Sequence, residues 1–245
     1  MYENNTDGFL FTFCGLDGCG KTTMLRRLIT ELEGEYELFL TKQPTGAVRG
    51  SEIFRTYMDS PEHDAFDYRS LSLLAASDRV QHVNKMVLPA MQRGKVVLSD
   101  RYFYSCLANL RARGFVSDEW IYEIASYIVK PDIAFFFDVP VETAVSRVRS
   151  RPEEKDRFID MELQYRLREE YINICRQNGG VLISTLNPEE ECFSIVKNKI
   201  KVGREVREFL KVCSKPRNFM MEAFTDGWKR RPPLYGPIAE LNCTR

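Results

Sequence analysis

FLFTFCGLDGCGKTT, residues 9–23, decides the fold. The apolar run Phe9-Leu10-Phe11-Thr12-Phe13 reads as a buried parallel strand. After it, Gly15, Gly20, Lys21 and Thr22 satisfy the phosphate-loop spacing G-x-x-x-x-G-K-[ST]. Then Met24, Leu25, Leu28, Ile29 and Leu32 recur at helical spacing. Strand, glycine loop and helix form the context this motif needs. Gly15, Gly18 and Gly20 let backbone N–H groups approach phosphate oxygens. The N-terminal end of the following helix turns its positive dipole toward the anion. Lys21, read as an exposed loop lysine, is placed to reach the β- and γ-phosphates, and Thr22 to offer a hydroxyl to Mg²⁺. Gly15, Asp17, Gly18, Cys19, Gly20, Lys21, Thr22 and Thr23 are therefore the candidate nucleotide-binding set, for ATP with Mg²⁺.

The rest of the chain repeats the pattern. Tyr36–Leu40, Val96–Leu98, Ile133–Phe137 and Val181–Ser184 read as further strands. A long helical stretch is expected from Asp67 to Arg93, and a helical region up to about Val129. This alternation predicts an α/β fold of the P-loop kinase kind: a five-stranded parallel sheet, helices on both faces, a short lid and a C-terminal extension. Ligands in such folds sit beyond the carboxyl ends of the strands. The residues just after each run are the ones to read: Cys14 to Thr22, Thr41 to Gly46, Asp100 to Tyr102, and Asp138.

Composition narrows the class. The 245 residues hold 35 Lys+Arg and 35 Asp+Glu, a balance that points to neither nucleic acid nor a membrane surface. No apolar run approaches the ~20 residues of a membrane span, and no secretory signal is visible at MYENNTDGF. Seven scattered cysteines without metal spacing suggest free thiols in a cytoplasmic setting, Cys14 and Cys19 reading as small buried groups beside the loop. From about Lys201 the character changes. Residues 201–245 carry ten basic and five acidic side chains, four prolines, Trp228 and the triplet Lys229-Arg230-Arg231. They read as an extension with one short helix over Gly203–Cys213, docking on the acidic domain of 1–200 or on a partner.

Three other stretches carry chemistry. Asp100-Arg101-Tyr102 follows a central strand; the acid suits Mg²⁺ and its waters or a proton from an acceptor, and the arginine suits a second phosphate. A surface pair capping a helix is the plainer reading. Thr41-Lys42-Gln43-Pro44-Thr45-Gly46 is a turn with one ammonium. Arg147 to Phe158 is a dense mixed-charge run, either a solvated face or a mobile lid that delivers an arginine to the charge of a transferring phosphoryl group.

Together these stretches resemble the thymidylate kinase family of nucleoside monophosphate kinases, in order, over residues 9 to about 200. Gly15–Thr23 is similar to its phosphate loop, Leu73–His82 to its acceptor-side helix, Asp100-Arg101-Tyr102 to its DR[YF] signature, Pro131–Pro140 to its later strand, and Asp156-Arg157-Phe158 to its lid exit. The resemblance implies ATP-dependent phosphorylation of a nucleoside monophosphate, dTMP first, and a homodimer. It implies that Asp17 faces the acceptor sugar, that Arg79 and Arg101 bind the acceptor phosphate, and that Arg55 and Tyr102 lie on that side. Gly18 stands where one branch of the family places a basic residue, so the catalytic arginine is expected in the lid (about 149–157), at Arg149 or Arg151, beside the catalytic Lys21 and Asp100. Lys42 replaces the usual arginine. Ala75 stands where a phenylalanine stacks on thymine, and Asn109-Leu110 where a Tyr-Gln pair brings Gln near the base. Cys14 and Gln43 replace two glutamates. Phe54, Tyr57, Phe66, Phe103 and Tyr104 are the candidates to supply the missing ring. Two rival readings stay open: a related kinase with another phosphorylated or nucleoside-like acceptor, and a nucleotide-binding switch.

Overall fold

The computed structural model describes residues 1–59, 66–115 and 117–214. Along the chain run β1 (Phe9–Cys14), α1 (Lys21–Leu32), β2 (Leu38–Lys42), α2 (Gly46–Arg49), α3 (Glu52–Asp59), α4 (Tyr68–His82), α5 (Leu88–Gln92) and β3 (Val96–Asp100). They continue with α6 (Phe103–Arg111), α7 (Glu119–Ala125), β4 (Ile133–Asp138), α8 (Val141–Arg149), α9 (Met161–Gln177), β5 (Val181–Ser184) and α10 (Glu189–Ser214). The five strands form one parallel sheet in the order β2-β3-β1-β4-β5, with helices packed on both faces.

β1 lies at the centre and all six of its residues are buried. That is why its sequence is a continuous apolar run rather than an alternating one. Its rings interlock with β4: Phe13 stacks on Phe135 with centroids 5.4 Å apart. From β1 the chain goes first to one side, through β2 and β3, and then crosses back to β4 on the other. A crevice therefore opens over the carboxyl ends of β1, β3 and β4.

Three expectations shift in register. β2 runs over 38–42 rather than 36–40, which brings Lys42 into pairing with Asp100. The helix expected from Asp67 to Arg93 is two helices joined by a π-helical turn, Val83–Val87, with Pro89 in the first turn of α5. Proline lacks the N–H that a continuous α-helix would use there. At the other end, α10 passes unbroken through the expected boundary at 200, and the compact unit that carries the sheet is Met1–Arg204. Gly203 packs on Ile133, and the Arg204 guanidinium lies 4.0 Å above the Tyr36 ring. Trp228 and the basic triplet lie outside the described residues. Among the described residues no helix is long and apolar enough to cross a membrane.

Candidate active site

The end of β1 delivers the phosphate loop. Gly15 has φ +135°, and a Cβ on it would lie 2.5 Å from Phe137 O and 2.7 Å from Cys19 Sγ. Gly18 has φ +81°, and its Cβ would meet Ala144 O at 2.1 Å. Any larger residue would drive the loop off β4 and α8. The loop closes around Lys21, whose Nζ donates to Gly15 O at 3.0 Å and Leu16 O at 2.6 Å. Lys21 is thus buried, 6% exposed, and not the exposed loop residue that its position suggested. Thr22 and Thr23 are exposed on the first turn of α1 and line the cavity, as do Asp17, Gly18 and Gly20. Cys19 is buried and, like Gly15, forms the back of the loop. Burial pushes the Cys14 thiol up to about 12, so it stays protonated at neutral pH.

β3 delivers Asp100 and Arg101. Lys42 Nζ, one strand away, lies 3.2 Å from Asp100 Oδ2, while Asp100 Oδ1 is buried with no hydrogen-bond partner among the described residues. Arg101 adopts φ 70°, a left-handed conformation that a branched guanidinium side chain rarely takes. Two bonds hold it there: its N–H donates to Phe13 O at 2.9 Å, and Ser99 Oγ donates to its carbonyl at 2.7 Å. So aimed, its Nη1 donates to Tyr171 Oη at 3.0 Å and its Nη2 to Asp17 Oδ1. Arg157, from the segment between α8 and α9, takes the other oxygen of Asp17 at 3.2 Å and also binds Glu154 at 2.8 Å. Desolvation in the cavity wall would raise the Asp17 pKa, but Arg101, Lys21 and Arg157 outweigh it and hold the carboxyl well below the usual carboxylate range.

That shift has a testable sign. A carboxyl whose pKa is lowered on folding adds stability above its unfolded value, near ~3.9, and loses it only as pH falls through the folded value. Asp17→Asn is expected to lower the melting temperature at pH 7 by about 2–4 °C, roughly 1 kcal/mol in a chain of this size once solvent screening is allowed for. Melting scans over pH should show the gap to the unmodified protein level from neutral pH to about 5 and closing only below about pH 4.

α4 and α6 form the opposite wall. Arg79 is buried, and its Nε donates to Gln43 Oε1 at 2.9 Å. Ala75, half-buried, and the exposed Arg55 both line the cavity. Phe54 and Tyr57 line it too, and Phe66 meets Tyr57 edge-on. Phe103 and Tyr104 are instead packed in the core. Behind the wall the Arg113 guanidinium stacks 3.9 Å from the Tyr68 ring and 4.8 Å from that of Tyr57; burial pushes its pKa down to about 10, which still leaves it charged.

Three sequence candidates are placed differently from the expectation. Leu110 is fully buried and does not line the cavity; Asn109 does. Successive helical residues point about 100° apart, so only one of the pair can face the site. Tyr102 touches the cavity, but its hydroxyl is turned into the core and donates to Val129 O at 2.7 Å. Arg149 is exposed at the end of α8 and away from the cavity, whereas Arg151, 3.8 Å from Glu154, lines it. Asp138 also has another use: it binds Arg168 of α9 through both oxygens, at 2.7 and 2.8 Å. The cavity further includes Arg49, Arg147 and Tyr171, which the sequence did not single out as site residues. Arg147 donates to Thr185 Oγ1 at 3.1 Å.

One cavity of about 830 Å³ joins the loop face to this wall. Its lining is rich in cationic side chains, Lys21 in the loop and Lys42, Arg55, Arg79 and Arg101 from other elements. The model of the thymidylate kinase family matches residues 13–200. The chain belongs to the thymidylate kinase family. With it, the chain is a nucleoside monophosphate kinase, a phosphotransferase. It is 38% identical over 200 residues to a probable thymidylate kinase of Pyrococcus horikoshii, covering 79% of this chain and 96% of the relative. A probable thymidylate kinase of Thermococcus kodakarensis is 40% identical over 166 residues, covering 65% and 80%. A thymidylate kinase of the Onion yellows phytoplasma is 32% identical over 199 residues, covering 78% and 95%. The residues that the family model matches include those that line the cavity, from Leu16 to Cys192.

Proposed function

We propose that the protein transfers the γ-phosphoryl group of ATP to dTMP, giving dTDP and ADP. The observation that carries this reading is that one cavity is lined both by a phosphate loop, Asp17 included, and by Arg101, Arg79, Arg55 and Lys42 from other elements. Relatives named thymidylate kinase support dTMP as the acceptor. A nucleotide switch has no need of the second set of cations.

An oxygen of the acceptor phosphate attacks the γ-phosphorus, the bond from that phosphorus to the β,γ-bridging oxygen breaks, and ADP leaves with the electron pair. A dianionic acceptor phosphate needs no base. Lys21 leaves its carbonyl partners for the β- and γ-phosphates. Arg101 and Arg79 orient the acceptor phosphate, and Asp17 faces its sugar. Arg151 stabilises the charge on the equatorial oxygens in the transition state. For Mg²⁺ the fitting donors are the orphaned, buried Asp100 Oδ1 and the Thr22 hydroxyl. Among the described residues no group of three or more His, Cys, Asp or Glu side chains is poised for a metal, so the protein would supply few ligands and phosphates and water the rest. When bound, the ion offsets phosphate charge.

The base wall sets an expectation for selectivity. Ala75 leaves the wall without the ring that the resemblance puts there. A hydrophobic pocket separates ligands that differ by one methyl group by only ~1–3 kcal/mol even when well formed. The preference for dTMP over dUMP in kcat/KM is therefore expected at about 10-fold or less, and Ala75→Phe is expected to raise kcat/KM for dTMP. Pairing it with Leu110→Gln would only bury an amide in the core. The test is kcat/KM across dTMP, dUMP, dCMP, dGMP and the unphosphorylated nucleosides. Strong thymine preference would show that Phe54 or Tyr57 supplies the ring. Turnover with none of them would move the acceptor to another class.

A further inference from the structure

Arg113 has no place in the mechanism above and does not line the cavity, yet three residues that do line it meet on its guanidinium. It follows the C-terminal end of α6, where its Nη1 donates to Asn109 O at 2.8 Å and to Asn109 Oδ1 at 3.0 Å. The first bond satisfies a carbonyl that the ending helix leaves open, and a cation suits that end of the helix dipole. The same guanidinium lies against the Tyr68 ring of α4 and the Tyr57 ring of α3, and those two rings meet edge-on with centroids 5.3 Å apart. Tyr57, Tyr68 and Asn109 thus come to one point from three helices, and all three line the cavity. A flat, forked cation can stack on rings and bond an amide at once; an ammonium cannot.

Folding alone does not ask for this residue. The guanidinium makes no ion pair among the described residues, and its Nη2 is buried with no hydrogen-bond partner among them. Desolvation outweighs the help that Asp160 gives its charge. A cation held on such terms can often be exchanged for an apolar side chain of similar volume with no loss of stability. The wall it ties together is the acceptor's. Tyr68, Ser72, Ala75 and Arg79 recur at i, i+4, i+7 and i+11 along α4 and all line the cavity. Arg79 serves the acceptor phosphate, so Tyr68 stands about three turns away, at the far end of the stripe. Resting on the acceptor reading above, we infer that Arg113 is a positioning residue: it clamps Tyr57, Tyr68 and Asn109 into one wall, and that wall holds the acceptor in line for transfer although the guanidinium does not touch it. The phosphate loop shares none of these contacts, so ATP binding is independent of the clamp.

The experiment measures kcat and KM for dTMP and for ATP, with melting temperatures alongside, in the unmodified protein, Arg113→Met, Arg113→Lys, Tyr57→Leu and the double variant Tyr57→Leu with Arg113→Met. Arg113→Met fills the space without the charge. It is expected to lower kcat/KM for dTMP by about 10-fold or more, while the KM for ATP stays within about 2-fold and the melting temperature does not fall. Arg113→Lys keeps the charge but loses the plane, so it should show the same loss, and it decides the matter if the methionine variant does not fold. Because Arg113 acts through the ring, adding Arg113→Met to Tyr57→Leu should cost less than it does in the unmodified protein. Values for dTMP that stay within about 2-fold in both Arg113 variants overturn the inference. So does a loss shared equally by dTMP and ATP with a lower melting temperature, which would leave Arg113 a structural residue only. If the unmodified protein turns over no monophosphate, the acceptor reading fails and takes this inference with it; turnover that the Arg113 variants leave unchanged sinks this inference alone.

Discussion

Lys21→Ala is expected to lower phosphoryl transfer by about 10³-fold or more while the protein still melts as a folded domain. The size follows from the role proposed for the ammonium, a cation that the loop brings to the β- and γ-phosphates. The fold survives for a different reason from the one its sequence position suggested. Lys21 is buried, but its partners all lie in its own loop, Gly15 O, Leu16 O and Cys19 Sγ, and Leu16 lines the cavity. Its loss creates no void among apolar side chains. Turnover assays with ATP and dTMP, run beside a thermal melt, check both halves. Retained turnover would remove the loop from the chemistry.

Arg151→Ala is expected to lower kcat by roughly 10²- to 10⁴-fold with little change in the KM for ATP, whereas Arg149→Ala leaves both within about 2-fold. Arg151 lines the cavity and has only a 3.8 Å contact with Glu154 to give up. A cation that meets charge only in the transition state shows up in kcat rather than in ground-state binding. Arg149 lies exposed on the last turn of α8 and does not line the cavity. Steady-state kinetics of the two variants separate them. If Arg151→Ala keeps its kcat and Arg157→Ala loses it, the lid arginine is the one now held by Asp17.

The sheet and the loop were legible because their signals are local. A fully buried strand must be apolar along its whole length, and β1 is; a loop that crosses β4 and α8 without room for a Cβ must carry glycine, and Gly15 and Gly18 do. Asp100 and Arg101 were readable for the same reason, as the polar end of an apolar strand. What could not be read is whatever depends on rotation about a helix axis or on a distant element. Asn109 and Leu110 differ only in phase along α6. Arg149 and Arg151 differ in which side of the end of α8 they fall. Tyr171 looks like any apolar position of α9 until packing puts its hydroxyl on Arg101. Arg157 was visible as part of a charge run, and nothing local told that its partner would be Asp17, far back in the chain.

The left-handed backbone at Arg101 carries one more lesson. At that φ a glycine would sit without strain, and roughly 1–2 kcal/mol of conformational energy would be recovered. Selection on folding alone would accept that exchange. A glycine, however, has nothing with which to hold Asp17 or Tyr171, and the crevice would lose the group that faces both the loop and the lid. The residue at 101 is therefore one where backbone comfort and side-chain contacts pull in opposite directions, and a search for sturdier variants guided only by the first would give up the pair with Asp17 at this point.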